Sequence, residues 1–272
     1  MSLSIPTANP PIVLVLAGHD PCGGAGIQAD IEALTSLGCH PCTVITALTA
    51  QDSVNVKDFQ PVPATFLVEQ ARAVLEDMPV AAFKIGMTGS VEIVEAIHTL
   101  LQDYPKLPVI FDPVLAGGGG GSLSRGDLME ALMELLVPLT TVITPNTVEA
   151  RALCSDADTL EACAQQFMAH GAEYVFITGG HENTSAIINR LWGHRQFIEE
   201  YTQTRLQGEY HGTGCTLASA VAGYIAHGAQ VPTAIRDAQA YTARAVANAR
   251  RLGMGQLIPN RLAWCTEQEG SE

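Results

Sequence analysis

Continuous runs of β-branched and apolar residues recur along the chain, and between them apolar residues recur every three or four positions. The first pattern predicts strands covered on both faces, and the second predicts amphipathic helices. The predicted strands are residues 12–17, 43–48, 80–85, 109–111, 141–144, 174–177, 186–192 and 196–201. The predicted helices are residues 64–77, 91–104, 127–136, 160–170, 215–227 and 233–250, with a further helix after the first strand.

The first predicted unit shows how these elements connect. Its strand ends at a glycine-rich turn, residues 18–26, and Ile27, Ile31 and Leu34 then fall on one helical face. Gly38 stands where a left-handed cap would end that helix before the next strand. Repeated βαβ units predict an α/β fold with three layers, α/β/α, around a central, mostly parallel sheet.

The remainder of the chain extends this pattern without a break. No linker divides it, so we expect a single domain over residues 1–272, with a flexible segment over about residues 1–10. Residues 117–121 predict a flexible glycine loop, and the last two strands predict a hairpin around Gly193. Two long Ala-rich helices close the fold.

Acidic residues outnumber basic ones two to one, since 28 Asp and Glu face 14 Lys and Arg, for a formal net charge of -14. Nucleic acids and anionic membrane surfaces bind to basic faces, so this composition argues against both as partners. An anionic substrate would have to be held locally, by backbone amides or by a metal ion.

Seven cysteines, an odd number spread over an ordinary-sized chain, predict free thiols in a reducing compartment and hence the cytoplasm. Their spacing forms no paired zinc-binding pattern. The N-terminal residues lack a basic region and the first apolar run is too short to span a bilayer, so neither secretion nor membrane insertion is expected.

Polar and glycine-rich segments follow the predicted strands, at the edge of the sheet where open α/β proteins bind ligands. In chain order they are residues 18–26, 49–51, 86–87, 112–113, 145–149 and 178–181. We therefore expect one rim of the sheet to hold the functional site, with His19, His181 and His211 on it in roles that the sequence does not assign.

A glycine turn opens the first of the two closing helices. Gly212, Thr213 and Gly214 precede Cys215, and the two glycines let successive backbone N–H groups converge at the positive helix end. This arrangement predicts an anion hole, although a glycine turn can also serve only as a cap. Cys215 is either a thiol whose pKa the helix dipole lowers, acting as base or charge partner, or a small buried apolar residue.

Asp112, Asn146 and Glu149 follow neighbouring strands and offer the oxygen ligands that Mg²⁺ prefers. Purely local roles would explain the same residues, because Asp112 can cap a turn and Asn146 can cap a helix with Glu149 as its capping-box partner. The chain has no GxxxxGK[ST] loop, no GxSxG elbow and no GxGxxG after a strand. P-loop, hydrolase and dinucleotide-binding functions therefore lose their usual support.

Five segments occur in order: AGHDPCGGAGIQAD (17–30), VITALTAQ (44–51), KIGM (84–87), ITPN (143–146) and HGTGCTL (211–217). Together they resemble the hydroxymethylpyrimidine/phosphomethylpyrimidine kinases of thiamin biosynthesis, over about residues 12 to 250. The Gly-Thr-Gly-Cys segment is similar to these pyrimidine kinases, whereas sugar and pyridoxal kinases generally carry Asp at its last position. The resemblance implies a three-layer ribokinase-like fold, ATP and Mg²⁺, and a homodimer.

The resemblance also implies roles by matching position. The Gln51 carboxamide would bind the aminopyrimidine edge, because a primary amide pairs a donor with an acceptor. The residues expected to enclose the ring are Gly18, Ala25, Asp30, Met87 and Val114. Those expected at the phosphoryl group are Cys215 and the amides of Gly212, Thr213 and Gly214, with Asp112 and Glu149 near the metal and Asn146, Thr178, Gly179 and Gly180 lining the nucleotide side. The implied chemistry is in-line phosphoryl transfer by positioning and charge stabilisation.

The chain departs from the family pattern where many members carry a basic residue, at residues 117–121, at Thr178 and at Gly208. We therefore expect the amide hole and Mg²⁺ to stabilise more of the charge, or a cation elsewhere, Arg125 or Arg205, to compensate. The departures weigh more against the second phosphorylation, of the monophosphate, than against the first.

Two other functions stay open at this point. A pyridoxal kinase of the same fold would also act on a ring that bears a hydroxymethyl group, although Cys215 and Gln51 favour the pyrimidine. A non-catalytic pyrimidine-binding protein would keep the pocket without turnover, and the missing basic residues make this conceivable.

Overall fold

A computed structural model describes residues 9–115, 126–182 and 184–264 of the chain. Most of the expected flexible N-terminal segment lies outside these residues, as do the glycine loop 117–121 and Arg125.

The elements alternate as the apolar pattern predicts. The strands are β1 (Ile12–His19), β2 (His40–Gln51), β3 (Val56–Pro61), β4 (Val80–Ile85), β5 (Val109–Phe111), β6 (Val142–Ile143), β7 (Tyr174–Ile177), β8 (Ala186–Gly193) and β9 (Gln196–Thr204). The α-helices are α1 (Gly26–Ser36), α2 (Ala64–Asp77), α3 (Val91–Asp103), α4 (Gly126–Ala131), α5 (Thr147–Leu153), α6 (Leu160–Ala169), α7 (Thr213–Ala226) and α8 (Val231–Ala247). A π-helical turn, Leu132–Leu136, and a 3₁₀ turn, Val137–Leu139, extend α4. None of these helices combines the length and the apolar character that crossing a bilayer requires.

The described strands form one sheet in the order β3-β2-β1-β4-β5-β6-β7-β8-β9. From β2 to β7 in this order neighbouring strands are parallel, while β3 at one edge and β8 with β9 at the other are antiparallel. The predicted, mostly parallel sheet is confirmed. The chain runs outward from β1 through β2 to β3 and then crosses back to β4 on the other side of β1. The crevice between β1 and β4 is therefore the switch point where such sheets bind ligands.

Alternate residues of the parallel strands point to opposite faces of the sheet, and both sets are apolar. Helices therefore cover both faces. Leu14 and Leu16 pack in the core beneath α2 to α6, whereas Val13 and Val15 pack beneath α1, α7 and α8. All four side chains are fully buried. The predicted three-layer α/β/α architecture is therefore confirmed.

The differences from the predicted elements lie at the edges and turns. The sequence analysis missed β3, since it is an edge strand whose residues are mostly exposed and show no continuous apolar run. The hairpin turn is made by His194 and Arg195, with φ of 51° and 62°, and Gly193 is the last residue of β8. The predicted left-handed cap at Gly38 is present, with φ of 77°.

Candidate active site

A cavity of about 310 Å³ opens at the carboxyl ends of the parallel strands. Nearly all the residues proposed from the sequence line it: Gly18, Ala25, Gln51, Met87, Asp112, Val114, Asn146, Glu149, Thr178, Gly180, Gly212, Thr213, Gly214 and Cys215. His19, His181 and His211 line it as well. The segments that follow separate strands therefore meet in one place.

Two residues expected at the cavity lie behind its wall. The Asp30 carboxylate is fully buried in an ion pair with Lys84, and Ser219 Oγ donates to it at 2.6 Å. Gly179 donates its N–H to Asn189 Oδ1 at 3.0 Å. Neither residue lines the cavity, which corrects the expected places of Asp30 beside a ring and of Gly179 on the cavity lining.

The glycine turn before α7 packs closely against the glycine-rich turn after β1. Gly212 has a φ of 79°, and a Cβ on it would lie 1.9 Å from the carbonyl oxygen of Gly24. A Cβ on Gly24 would lie 2.0 Å from His211 Cδ2, so both positions require glycine. No side chain in the described part of the chain caps α7, and the amides of its first turn lack intrahelical partners. They are arranged to bind an anion.

Cys215 stands in the first turn of α7, and its partly accessible side chain lines the cavity. Burial raises the pKa of the thiol to about 12, and the positive charge of Lys84 offsets only part of this effect. Of the two interpretations of Cys215, the one in which the helix end lowers the pKa of the thiol is therefore wrong for the protein without ligands. At neutral pH the thiol is protonated and acts as a hydrogen-bonding group.

Lys84 is a buried cation of the cavity that the sequence analysis did not identify. Its Nζ lies 3.0 Å and 3.1 Å from the two carboxylate oxygens of Asp30, and both side chains are fully buried. Burial, the largest single effect, would lower the pKa of Lys84, but the acidic groups around it, Asp30 foremost, together outweigh burial and raise the pKa. The sequence alone could have identified Lys84, because a lysine within an otherwise apolar, buried strand needs a partner for its charge.

Arg205 does not supply positive charge to the cavity. Its guanidinium donates to the carbonyl oxygens of Thr184 at 2.9 Å, Gly180 at 2.8 Å and Glu182 at 2.7 Å. These bonds fasten the loop after β7 instead. Among the described residues, the Lys or Arg side chain that lines the cavity is Lys84.

A buried carboxyl group, that of Asp112, and a half-buried one, that of Glu149, lie near each other in the cavity. Burial raises the pKa of Asp112 to about 6, with Lys84 opposing the shift, while burial and then the charge of Asp112 raise the pKa of Glu149 to about 8. Asp112 Oδ2 is buried and has no hydrogen-bond partner among the described residues. A buried carboxylate oxygen without a donor, beside a second carboxyl group, fits a divalent cation.

Asn146 and Glu149 also have the local role considered from the sequence. Asn146 Oδ1 accepts from the backbone N–H groups of Val148 and Glu149, each at 2.9 Å, and Glu149 Oε2 accepts from the Asn146 N–H at 2.9 Å. This capping box starts α5. It fixes the Glu149 carboxylate in the cavity, so the local role prepares the chemical one.

Asp20 and His211 form a buried pair that joins the two glycine turns. His211 Nε2 lies 2.9 Å from Asp20 Oδ2, which also accepts the N–H of Ala25 at 2.7 Å. Burial would raise the pKa of Asp20, but the hydrogen bonds from His211, Cys22 and Ala25 outweigh it and lower the pKa to about 2. The sequence placed His211 on the rim without identifying this partner.

The Asp20 pair predicts a specific loss of stability in acid. Its folded-state pKa lies below the unfolded value of 3.8, so its contribution is complete above about pH 4 and is lost as the pH falls towards 2. Between pH 5 and pH 2 the unfolding free energy of the wild type should fall by about 2 kcal/mol more than that of Asp20→Asn. Urea denaturation across this range measures the difference. Equal slopes for both proteins would contradict the prediction, and Asp103→Asn, at an exposed ion pair, is the control.

A small apolar wall stands beside Gln51. Ala47 and Met87 are buried there, and Val56, Phe59 and Val114 pack against them. Val56 and Phe59 belong to β3, so the edge strand missed in the sequence supplies part of the site. No hydrogen bond among the described residues holds the Gln51 side chain, which leaves its donor and acceptor for a ligand.

The opposite end of the cavity is lined by a polar network from β8, β9 and α8. Asn189 Nδ2 donates to Gln239 Oε1 at 2.9 Å, and Gln203 Nε2 donates to the same oxygen at 3.2 Å. Thr242, next along α8, also lines the cavity. These residues follow no parallel strand, so the search along strand ends did not find them.

Comparison with known proteins connects this geometry to a family. The family model described as phosphomethylpyrimidine kinase matches residues 20–260. The thiamine biosynthesis bifunctional protein ThiED of Geobacter sulfurreducens is 38% identical over 247 residues, and the match covers 89% of this chain but 50% of that protein. This chain thus spans half of the bifunctional relative. The hydroxymethylpyrimidine/phosphomethylpyrimidine kinase of Streptomyces coelicolor is 38% identical, with 94% of this chain and 96% of that protein covered.

Two solved structures are similar over most of the chain. The pyridoxal kinase from Staphylococcus aureus in complex with AMP-PCP and pyridoxal is 26% identical with a TM-score of 0.86, covering 95% of this chain and 96% of that chain. The phosphomethylpyrimidine kinase from Clostridium difficile is 31% identical with a TM-score of 0.76, covering 87% of this chain and 99% of that chain. The ribokinase-like fold expected from the sequence is confirmed by these likenesses.

Proposed function

The chain belongs to the phosphomethylpyrimidine kinase family, and from this we propose that it phosphorylates 4-amino-5-hydroxymethyl-2-methylpyrimidine with ATP in thiamin biosynthesis. The monophosphate is the second substrate. The observation that carries the proposal is one cavity in which the uncapped end of α7, with Cys215, lies together with Gln51 and an apolar wall. The cavity thus offers an anion hole and a site for a flat polar ring.

The ring is proposed to lie at the Gln51 end. An aminopyrimidine presents an amino donor beside a ring nitrogen acceptor, and the carboxamide of Gln51 has the complementary pair of groups. The wall formed by Met87, Val56 and Val114 covers an apolar face of suitable size. Gly18 allows this approach, since a Cβ there would lie 3.0 Å from Met87 Sδ.

Replacing Gln51 by leucine should raise the KM for the pyrimidine about 10-fold to 100-fold, because one to two hydrogen bonds to a buried polar edge are lost. The kcat should change little, since the transferring group is bound elsewhere. Steady-state kinetics at saturating ATP measures both constants. Gln60→Leu, which changes an exposed glutamine on β3, is the matched control. A Gln51→Leu protein with an unaltered KM would remove the carboxamide from ring recognition.

The reaction is proposed to be an in-line displacement. The hydroxymethyl oxygen attacks the γ-phosphorus, the bond to the β-phosphate oxygen breaks, and ADP leaves with that oxygen. The first-turn amides of α7 receive the phosphoryl oxygens, and Lys84 adds a positive charge near them. The hydroxyl proton passes to the Asp112 carboxylate, because this carboxyl, with a pKa of about 6, is ionised at neutral pH, while the protonated Cys215 thiol donates a hydrogen bond.

Asp112 and Glu149 would hold Mg²⁺. The unpartnered oxygen of Asp112 and the raised pKa of Glu149 both support a cation at this position. When bound, the ion neutralises charge on the nucleotide phosphates. Asn146, Thr178 and Gly180 are proposed to line the nucleotide side, with the Gln239 network beyond them.

The second phosphorylation brings the negative charge of the monophosphate into the site, and the positive charge of Lys84 would offset part of it. The sequence lacks basic residues at three expected places, but a charged amine already lies in the cavity wall. We therefore propose that one cavity serves both steps. We also propose a homodimer in the cytoplasm, a reducing compartment that suits the six free cysteines of the described residues.

A coupled assay tests the proposal directly. Purified protein with ATP and Mg²⁺ is offered the hydroxymethylpyrimidine, its monophosphate or pyridoxal, and ADP release is recorded. We expect turnover with both pyrimidines. Turnover with pyridoxal alone would show that the chain is a pyridoxal kinase. This alternative is tested because a pyridoxal kinase is similar in structure, with a TM-score of 0.86. Tight pyrimidine binding without ADP release would identify a non-catalytic binding protein.

A further inference from the structure

Arg261 is a buried arginine behind the cavity. It follows α8 and is 1% exposed, one residue past the range 20–260 that matches the family model. Its backbone is fixed, because the Tyr241 hydroxyl donates to the Arg261 carbonyl oxygen at 2.8 Å. The residue does not line the cavity, so it acts on a ligand only through other groups.

The guanidinium joins three elements. Its Nε donates to Thr216 Oγ1 in α7 at 2.8 Å, and its Nη1 donates to Glu32 Oε2 in α1 at 3.1 Å. Its Nη2 donates to the carbonyl oxygen of Gly24 in the turn after β1. A planar guanidinium holds such partners at fixed angles, which a lysine amine does not. The bonds to Thr216 and Gly24 therefore set the distance between the start of α7 and the turn after β1, and the bond to Glu32 holds the guanidinium against α1.

The bond to Thr216 continues into the anion hole. Thr216 Oγ1 donates in turn to the carbonyl oxygen of Gly212 at 2.8 Å. Gly212 is the residue that touches Gly24, where space for even one methyl group is lacking. The guanidinium is thus one bond from one turn and two bonds from the other, at the point where they pack together.

The segment before Arg261 connects the same turn to the ring end of the cavity. The N–H of His211 donates to the Leu257 carbonyl oxygen at 2.9 Å, and the N–H of Gln256 donates to the Ser53 carbonyl oxygen at 2.8 Å. Ser53 lies two residues after Gln51. Movement of this C-terminal segment would therefore disturb both the glycine turn before α7 and the ring end of the cavity.

We propose that Arg261 is a positioning residue that holds the first turn of α7 and the glycine-rich turn after β1 at the separation needed to receive the transferring phosphoryl group. The inference rests on the proposed kinase function for its kinetic consequence. Its structural consequence, order in the two glycine turns, is independent of the substrate.

Replacing Arg261 by alanine should lower kcat by about 100-fold, the effect of misplacing reacting groups by about 1 Å, with the KM for the pyrimidine within about threefold. Millimolar guanidinium chloride should restore part of this kcat, because the free ion can occupy the vacated position. Arg261→Lys keeps the charge without the planar fork and should stay impaired. Arg72→Ala, at an exposed ion pair, is the control and should match the wild type with and without guanidinium.

Hydrogen exchange read by mass spectrometry gives the second measurement. In Arg261→Lys, peptides covering residues 20–26 and 211–216 should exchange about 10-fold faster, while a peptide from α3 keeps its wild-type rate. Unchanged kcat in both variants, or faster exchange spread equally over the chain, would overturn the proposal. If Arg261→Ala fails to fold, Arg261→Lys supplies both readouts. If the wild type turns over no pyrimidine, the proposed function fails and the exchange pattern alone decides the positioning role.

Discussion

Replacing Cys215 by alanine should lower kcat by about 100-fold to 1000-fold while the KM for the pyrimidine stays within about threefold, the signature of a group that acts in the transition state. The thiol stands in the first turn of α7, where the phosphoryl group is proposed to bind, and not beside Gln51. Its raised pKa, about 12, makes it a hydrogen-bond donor in the resting protein. Alanine removes that donor without adding bulk.

Steady-state kinetics on three variants measures this effect. Cys215→Ser keeps a hydroxyl donor and should retain more activity than Cys215→Ala. Cys163→Ala changes a buried thiol of α6 that does not line the cavity, and it should keep the wild-type kcat. Alkylation of Cys215 by iodoacetamide should remain slow up to about pH 9, since little thiolate forms below a pKa of about 12. A full kcat in Cys215→Ala would remove the thiol from the catalytic machinery.

Replacing Lys84 by methionine should lower the unfolding free energy by about 3–5 kcal/mol, because it leaves the Asp30 carboxylate buried without its counter-ion. Ser219 is the other side chain seen to bond that carboxylate, and a hydroxyl does not neutralise it. The variant should also lose phosphoryl transfer, because the cavity loses a positive charge beside Asp112 and Cys215. Urea denaturation and the ADP-release assay measure the two effects separately.

The double variant Lys84→Met/Asp30→Asn is the decisive control. With both charges gone, most of the lost stability should return, whereas phosphoryl transfer should not. Arg72→Met breaks an exposed ion pair with Asp103 and should cost less than about 1 kcal/mol. A Lys84→Met protein as stable as the wild type would show that the buried charge of Asp30 is relieved in another way.

The layer order was predictable because it depends on local apolar patterns. Residues 12–17 form a continuous apolar run, and such a run is stable only in a strand covered on both faces. The strand β3 was not predictable in this way, since four of its six residues are exposed and its position depends on pairing with β2. Its contribution to the ring site, Val56 and Phe59, could therefore not be seen in the sequence.

Most of the lining of the candidate site was predictable for a topological reason. The carboxyl ends of parallel strands share one edge, so Asp112, Asn146 and Thr178 had to come close together. Contacts that join distant elements were not predictable. The ion pair of Lys84 with Asp30 and the bonds of Arg261 to Gly24 and Thr216 depend on which helix covers which strand, and the sequence pattern leaves that open.

The pKa of Cys215 shows the limit of reasoning from one element. A helix N-terminus lowers the pKa of an exposed thiol, but here withdrawal from water and two neighbouring carboxylates act in the opposite direction. The helix end could be predicted from the sequence, whereas the burial of the thiol and its charged neighbours could not.

The antiparallel strands at both margins of the sheet bear on how the protein behaves when it is concentrated. An outer strand offers unpaired backbone groups to other molecules, and charged side chains on that strand oppose such pairing. The outer strand β3 carries exposed Lys57 and Asp58, and β9 carries exposed Glu199 and Glu200. Joining two copies margin to margin through β9 would bring four carboxylates together, so fibril-like growth is disfavoured. If Glu199 and Glu200 were replaced by uncharged residues, concentrated protein should aggregate on storage, and the first sign would be turbidity.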